Sequence, residues 1–200
     1  MEKYSTERFS ATCSAADFTS SCVDIPKFLA FCRDCPNYGK NWMCPPFDFD
    51  SAVIWRSYEK VRLVVLQIKP EGVGEGGNAE ERAFRIIGGE KKKLLLELLE
   101  EEKKIKGSLS FFAGSCKLCA KCAREDGLPC RRPEMARHSI ESIGADVSAA
   151  LKKYLGLEIC WIKDGKMPEY LTLAAALLLP PEKYAPRIAI SFSFFAAPLV

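Results

Sequence analysis

VRLVVLQIK, residues 61–69, decides how the rest of the chain is read. It is rich in β-branched side chains and ends at Pro70. Such residues suit a pleated, buried surface, and proline cannot donate to a ladder, so the run predicts a central strand stopping at Pro70. Before it, Phe49–Lys60 predicts a short helix, and CRDCPNYGKNWMCPP, 32–46, is a loop by its proline, glycine and asparagine content. Residues 1–31 are mixed and carry no assignment beyond a candidate N-terminal appendage.

Downstream, EGVGEGGN, 71–78, is a glycine-rich connection. Residues 79–107 then follow a helical pattern, with Leu95, Leu98, Leu99 and Ile105 recurring between Glu and Lys. Gly88 and Gly89 are expected to kink or split this helix, and Gly107 to stop it. SLSFFAG, 108–114, predicts a strand running into a cysteine-rich loop. Pro133 would open a helix through Gly144, since its fixed φ suits a first helical position, and Glu134 would favour that positive end. Asp146 would cap another helix over 147–156. LEICWIK, 157–163, and YLTLAAALLL, 170–179, predict two more strands around the turn DGKMP. The expected fold is α/β (α+β): a sheet of about four strands flanked by helices, with two cysteine-rich metal loops. It would be a single metal-binding domain over 1–200, with 181–200 as an apolar tail.

Two hundred residues are enough to bury a core without metal or disulfide support. A net charge of +3, with no basic stripe interleaved with aromatics, argues against nucleic acid as a partner. No solenoid-like repeat is present. LTLAAALLLP and IAISFSFFAAPLV fall short of the roughly 20 apolar residues of a membrane span, and PPEKYAPR separates them, so no span is expected. MEKYSTERFS has no apolar core of a signal peptide, which predicts a cytoplasmic protein. Thiols stay reduced there, so the ten cysteines read as metal ligands rather than a disulfide framework.

Four of them lie in GSCKLCAKCAREDGLPC, 114–130. Cys116, Cys119 and Cys122 follow a CxxCxxC spacing, which lets the backbone wrap one inorganic centre while its N–H groups face the sulfurs. Three thiolates on one bend suit three corners of a 4Fe-4S cube, and Cys130 would supply the fourth. Structural zinc more often takes two separated pairs, so zinc is the alternative cofactor. Arg124, Arg131, Arg132, Arg137, Lys117 and Lys121 could raise the potential of an anionic cluster or form a solvated basic face.

Cys32, Cys35 and Cys44 form a second set, followed by Pro45 and Pro46. Proline after the last cysteine turns the chain away from a cluster and removes a competing donor. A fourth ligand could be Cys13, Cys22 or Cys160, each otherwise an inert buried thiol, or the corner could be open to water or substrate. Cys44 and Cys130 could also be exchanged between the two sites, as distal cysteines are in two-cluster ferredoxins. Tyr38, Lys40, Asn41 and Trp42 could shield a cluster or meet a partner, but Tyr38 and Trp42 are read as packing the loop onto the core.

CPNYGKNWMCPP, 35–46, and GSCKLCAKCAREDGLPCRRPEMARHSIESIGADV, 114–147, together resemble a prokaryotic family of predicted metal-binding proteins. That family carries a YGK-x-W-x-CPP block and a later CxxCxxC-x7-C block, and the resemblance runs over roughly residues 32–165. It implies metal binding through the block cysteines as iron–sulfur centres and supplies no reaction. The ending ISFSFFAAPLV departs from the family pattern.

Other motifs carry less. Gly72, Gly74 and Gly77 satisfy GxGxxG, but Pro70 and Glu71 intervene and Glu80 and Glu81 would repel phosphate, so a linker is the better reading. There is no Gly-Lys-Ser/Thr phosphate loop. His138, the only histidine, could ligate or shuttle protons, yet packing is the reading preferred. The sequence therefore points to an iron–sulfur protein with one or two clusters, transferring electrons with a redox protein partner or supporting a larger enzyme. Two alternatives remain: a redox enzyme with an open iron at Cys32/Cys35/Cys44, and a zinc-stabilised binding module. Oligomeric state and enzymatic status stay open.

Overall fold

The computed structural model describes residues 2–71 and 78–181. The glycine motif at 72–77 and the apolar ending beyond 181 lie outside the described residues. The run at 61–69 is strand β2 (Lys60–Pro70), and it is central. β1 (Tyr4–Ser14) pairs antiparallel along its whole length, Tyr4 opposite Pro70 and Ser14 opposite Lys60. On the other side lies β4 (Leu171–Leu179), also antiparallel, with Lys60 opposite Leu179. The short β3 (Leu109–Phe111) extends the far edge of β4, giving the order β1-β2-β4-β3.

Both faces of β2 are covered, which is why it reads as an almost unbroken apolar run. Val61, Leu63 and Val65 join one core with Ala174, Ala176 and Leu178 of β4. Helices α1 (Ala15–Cys22), α3 (Ser51–Arg56) and α5 (Val147–Leu155) close that face through Phe18, Trp55 and Leu151. Val64, Leu66 and Ile68 face the other core, closed by Ala83, Ile86, Leu94 and Leu98 of α4 (Ala79–Lys104). The indole of Trp55 stacks on Phe18 at 5.3 Å and on Phe111 at 6.4 Å, and its Nε1 donates to Ile143 O at 3.0 Å.

The helix starts follow from their caps. Ser14, Asp24, Asn78 and Asp146 each accept backbone N–H groups of the first turn of α1, α2 (Ile25–Arg33), α4 and α5. α4 also carries Glu80 and Glu81 in its first turn and Lys103 and Lys104 in its last, the order its dipole favours. α2 docks through Gly144, whose φ of +101° and closeness to Ile25 exclude a side chain: a Cβ would lie 2.6 Å from Ile25 Cγ1.

Several expectations need correction. α4 runs unbroken through Gly88 and Gly89, and the helix expected over 49–60 is confined to Ser51–Arg56. Residues 1–31 hold β1, α1 and most of α2. No α-helix follows Pro133: Phe112 N donates to His138 O at 2.8 Å and Phe112 bridges Ser139 in parallel, so this stretch is drawn alongside the end of β3. Only a 3-10 turn at Glu141–Ile143 remains. Residues 157–163 are not a strand either. Leu157 and Ile159 pack on the first core and Ile162 on the second, so the segment crosses between cores instead of joining the ladder. Among the described residues no helix is long and apolar enough to cross a membrane.

Candidate metal centre

The later cysteine loop sits on the α4 face. Leu95 and Leu99 of α4 and Phe112 form a small third core, and Leu118 and Met135 pack against it. Gly114, at φ +61°, turns the chain out of β3 into the loop. The N–H of Leu118 hydrogen-bonds Cys116, and that of Arg132 hydrogen-bonds Cys130. A 3-10 turn, Ala123–Asp126, starts after Cys122 and ends on the left-handed Gly127, returning the chain toward Cys130. Cys116, Cys119, Cys122 and Cys130 thereby line one small cavity of about 20 Å³, with Trp42, Leu118 and Arg132 around them. All ten cysteines are free thiols.

The earlier set is wound by a series of turns. Cys32 lies in the last turn of α2, and Cys35 N donates to Cys32 O at 3.1 Å. Tyr38 N donates to Cys35 O, Gly39 N to Pro45 O at 2.8 Å, and Cys44 N to Asn41 O at 3.0 Å. Asn37 Nδ2 approaches Cys35 Sγ at 3.7 Å.

The two loops interlock. Arg124 donates to the carbonyls of Asn41 (3.0 Å), Cys44 (2.7 Å) and Pro46 (2.6 Å), and its guanidinium lies 5.1 Å from the Trp42 ring centroid. Asn41 Nδ2 donates to Cys116 O at 3.0 Å and Trp42 Nε1 to Leu128 O at 2.9 Å. Lys91 of α4 reaches Ser115 O. His138 is buried against Phe47 and Phe49, its Nδ1 3.2 Å from Met43 O. The preferred packing role of the histidine is thus observed. Trp42 departs from its expected place: it packs on the other cysteine loop, not the core.

The thiols reflect crowding. Burial pushes Cys44 up to about 12, and Cys35, Cys32 and Cys116 add to the rise while Arg124 opposes it. Cys116 rises through burial and then through Cys130 and Cys122; Cys130 rises through burial and then through Cys122 and Cys119. Cys32 rises through burial, Cys35 and Glu141. Burial thus keeps these thiols protonated, and a bound metal would have to displace those protons.

The basic residues divide. Arg124 clamps the loops, Arg131 donates to Lys121 O at 3.1 Å, Lys121 pairs with Asp126, and Arg137 pairs with Glu102 of α4 at 2.6 Å. The three remaining cysteines lie elsewhere. Cys22 is in the first core, Cys13 Sγ is 3.7 Å from Val61 O, and Cys160 meets Tyr170. Lys91 was hidden in the run KKK at 91–93, although its spacing of four from Leu95 puts it on the buried helix face. Among the described residues no three Cys, His, Asp or Glu side chains are drawn together tightly enough for a single metal ion.

Fold and site together define a cysteine-rich α/β protein with seven of its ten thiols on two interlocked loops. The family model described as "Predicted metal-binding protein (DUF2284)" matches residues 19–179, and the chain belongs to that family. The match takes in both cysteine loops. Comparisons with curated proteins and with solved structures gave no match.

Proposed function

We propose that Cys116, Cys119, Cys122 and Cys130 hold a 4Fe-4S cluster and that the protein passes electrons to or from a redox partner. The observation that carries this is the shared cavity of four unbridged thiols, with backbone N–H groups directed at Cys116 and Cys130. Such N–H groups stabilise sulfur charge and help set a cluster's potential. The CxxCxxC run with a distal Cys130, rather than two separated cysteine pairs, favours a cluster over zinc.

Cys32, Cys35 and Cys44 would bind a second centre. Cys13, Cys22 and Cys160 have other surroundings, and this favours a second reading in which one iron of that centre is open to a small substrate. A cytoplasmic setting would keep all these thiols reduced.

Anaerobic purification with iron, sulfide and zinc analysis tests the proposal. About four irons with matching sulfide would support one cubane, and about eight would support two. Stoichiometric zinc without sulfide, in a colourless protein, would reject it. Cys119→Ser should remove one cluster and leave any signal from the Cys44 set, and Cys44→Ser should do the reverse.

A further inference from the structure

A second, much larger cavity, of about 1020 Å³, opens between α4 and residues 159–162. We propose that it binds a small, neutral aromatic molecule bearing one carbonyl or hydroxyl group. This inference does not depend on which metal the cysteines take. A cavity of this size accommodates a drug-sized molecule, and its walls are mostly apolar, with Ile87, Leu95, Phe112, Ile162 and Leu173 among them. Two aromatic side chains that line it, Phe84 and Trp161, are 73% and 66% exposed, and together at one cavity they make an apolar patch rather than scattered surface groups. Their flat faces suit an aromatic guest.

Charge selects a neutral one. Lys91, Lys92 and Lys117 line the cavity, and so do Glu80, Glu141 and Asp146, so no net charge draws an ion. The polar atoms select a head group. Glu141 Oε2 and Thr172 Oγ1 are buried and have no hydrogen-bond partner among the described residues. Orphaned buried polar atoms are costly, and a hydroxyl on the guest would relieve one. Lys91, bonded to Ser115 O, keeps further N–H donors for a carbonyl. Leu118 lines both this cavity and the cysteine cavity, so the guest would sit one side chain away from the thiols.

The test uses prodan, a neutral naphthyl ketone whose emission brightens and shifts to the blue in apolar surroundings, titrated into the full chain. Its ketone-free analogue dimethylaminonaphthalene and the anion anilinonaphthalene sulfonate are run alongside. Prodan should saturate one site about tenfold more tightly than either, the discrimination expected of one hydrogen bond. Lys91→Met should abolish the preference for the ketone. Gly88 lines the cavity and Gly89 does not, and a Cβ on either meets nothing within 4 Å. Both lie in α4, so Gly88→Leu and Gly89→Leu should each keep or raise stability. Gly88→Leu should weaken prodan by at least about tenfold by filling the space, and Gly89→Leu should leave it unchanged. Absence of saturable binding, undiminished binding to Gly88→Leu, or tighter binding of the sulfonate than of prodan would each overturn the proposal.

Discussion

The sheet-and-helix body and the paired cysteine loops are held together by different forces. In the body, Phe18, Leu63, Ile86, Leu98, Leu151 and Leu177 are fully buried, and β2 is laddered on both edges. Burial at about 25 cal/mol per Å² of apolar surface makes such a core the main source of stability. The loops bury little of that kind. They are tied by side chains reaching backbone carbonyls: Arg124 to three, and Asn41, Trp42 and Lys91 to one each. A hydrogen bond of this sort contributes about 1 kcal/mol net. The body should therefore fold whether or not the loops hold a metal, a core of this size needing no metal support.

The largest effect should come from the body. Trp55→Ala removes the ring between Phe18 and Phe111 and leaves Ile143 O without its donor. Truncating a buried Trp costs about 3–5 kcal/mol. Urea unfolding should show that loss, while metal bound per folded molecule stays at the wild-type level. A parallel fall in metal content would mean that the two regions are one cooperative unit, and the comparison would fail.

How much of each region the sequence revealed follows the same divide. β2, α4 and β4 were legible because apolar burial leaves a periodic trace, and Asp146 was legible as a cap because capping needs a specific side chain. β1 was not, since as an edge strand with mostly polar side chains it leaves little such trace. Residues 157–163 and 133–144 misled for a tertiary reason: β3 already occupies the β4 edge at 176–178, and the end of β3 claims His138 and Ser139 for itself. In the site, cysteine spacing identified both loops. Their interlocking was illegible, because Arg124 acts on backbone carbonyls some eighty residues away, and carbonyls have no sequence signature.

His138 sits where the two regions meet, its ring edge-on to the stacked pair Phe47 and Phe49 and its Nδ1 against Met43 O, one residue before Cys44. Burial lowers it from 6.5 to about 4, with Arg137 also lowering it and Met43 O opposing. The unfolded chain thus binds more protons between these values. Its stabilising effect is complete above pH 6.5 and is lost as pH falls toward 4. From pH 7 to about pH 4 that loss amounts to roughly 3 kcal/mol. Carboxylates titrate over part of this window, so the quantity to read is the difference from His138→Gln. The variant should be less stable at neutral pH but should lack this share of the acid loss. Equal slopes in the two proteins would show that the imidazole is not held neutral.

Arg124 gives the smallest effect and the sharpest division between body and loops. Its three carbonyl partners all lie on the earlier loop, and its own position follows Cys122 by two residues. Removing it should leave the body intact, since none of its partners belongs to either main core. What changes is the registration of one loop on the other, and with it the approach of Cys44 to Cys116, whose thiols sense one another. Groups that orient metal ligands without touching the metal are worth about 10–100-fold in affinity, or about 1.4–2.8 kcal/mol. Arg124→Ala should lose metal to a competing chelator by that factor, while the circular dichroism of the metal-free protein keeps the wild-type sheet and helix signal. Arg124→Lys keeps the charge but cannot span three carbonyls with a planar fork, so it should behave like Arg124→Ala. Rescue by lysine would assign the effect to charge near the thiolates instead, and the clamp would then have no part in holding the two loops in register.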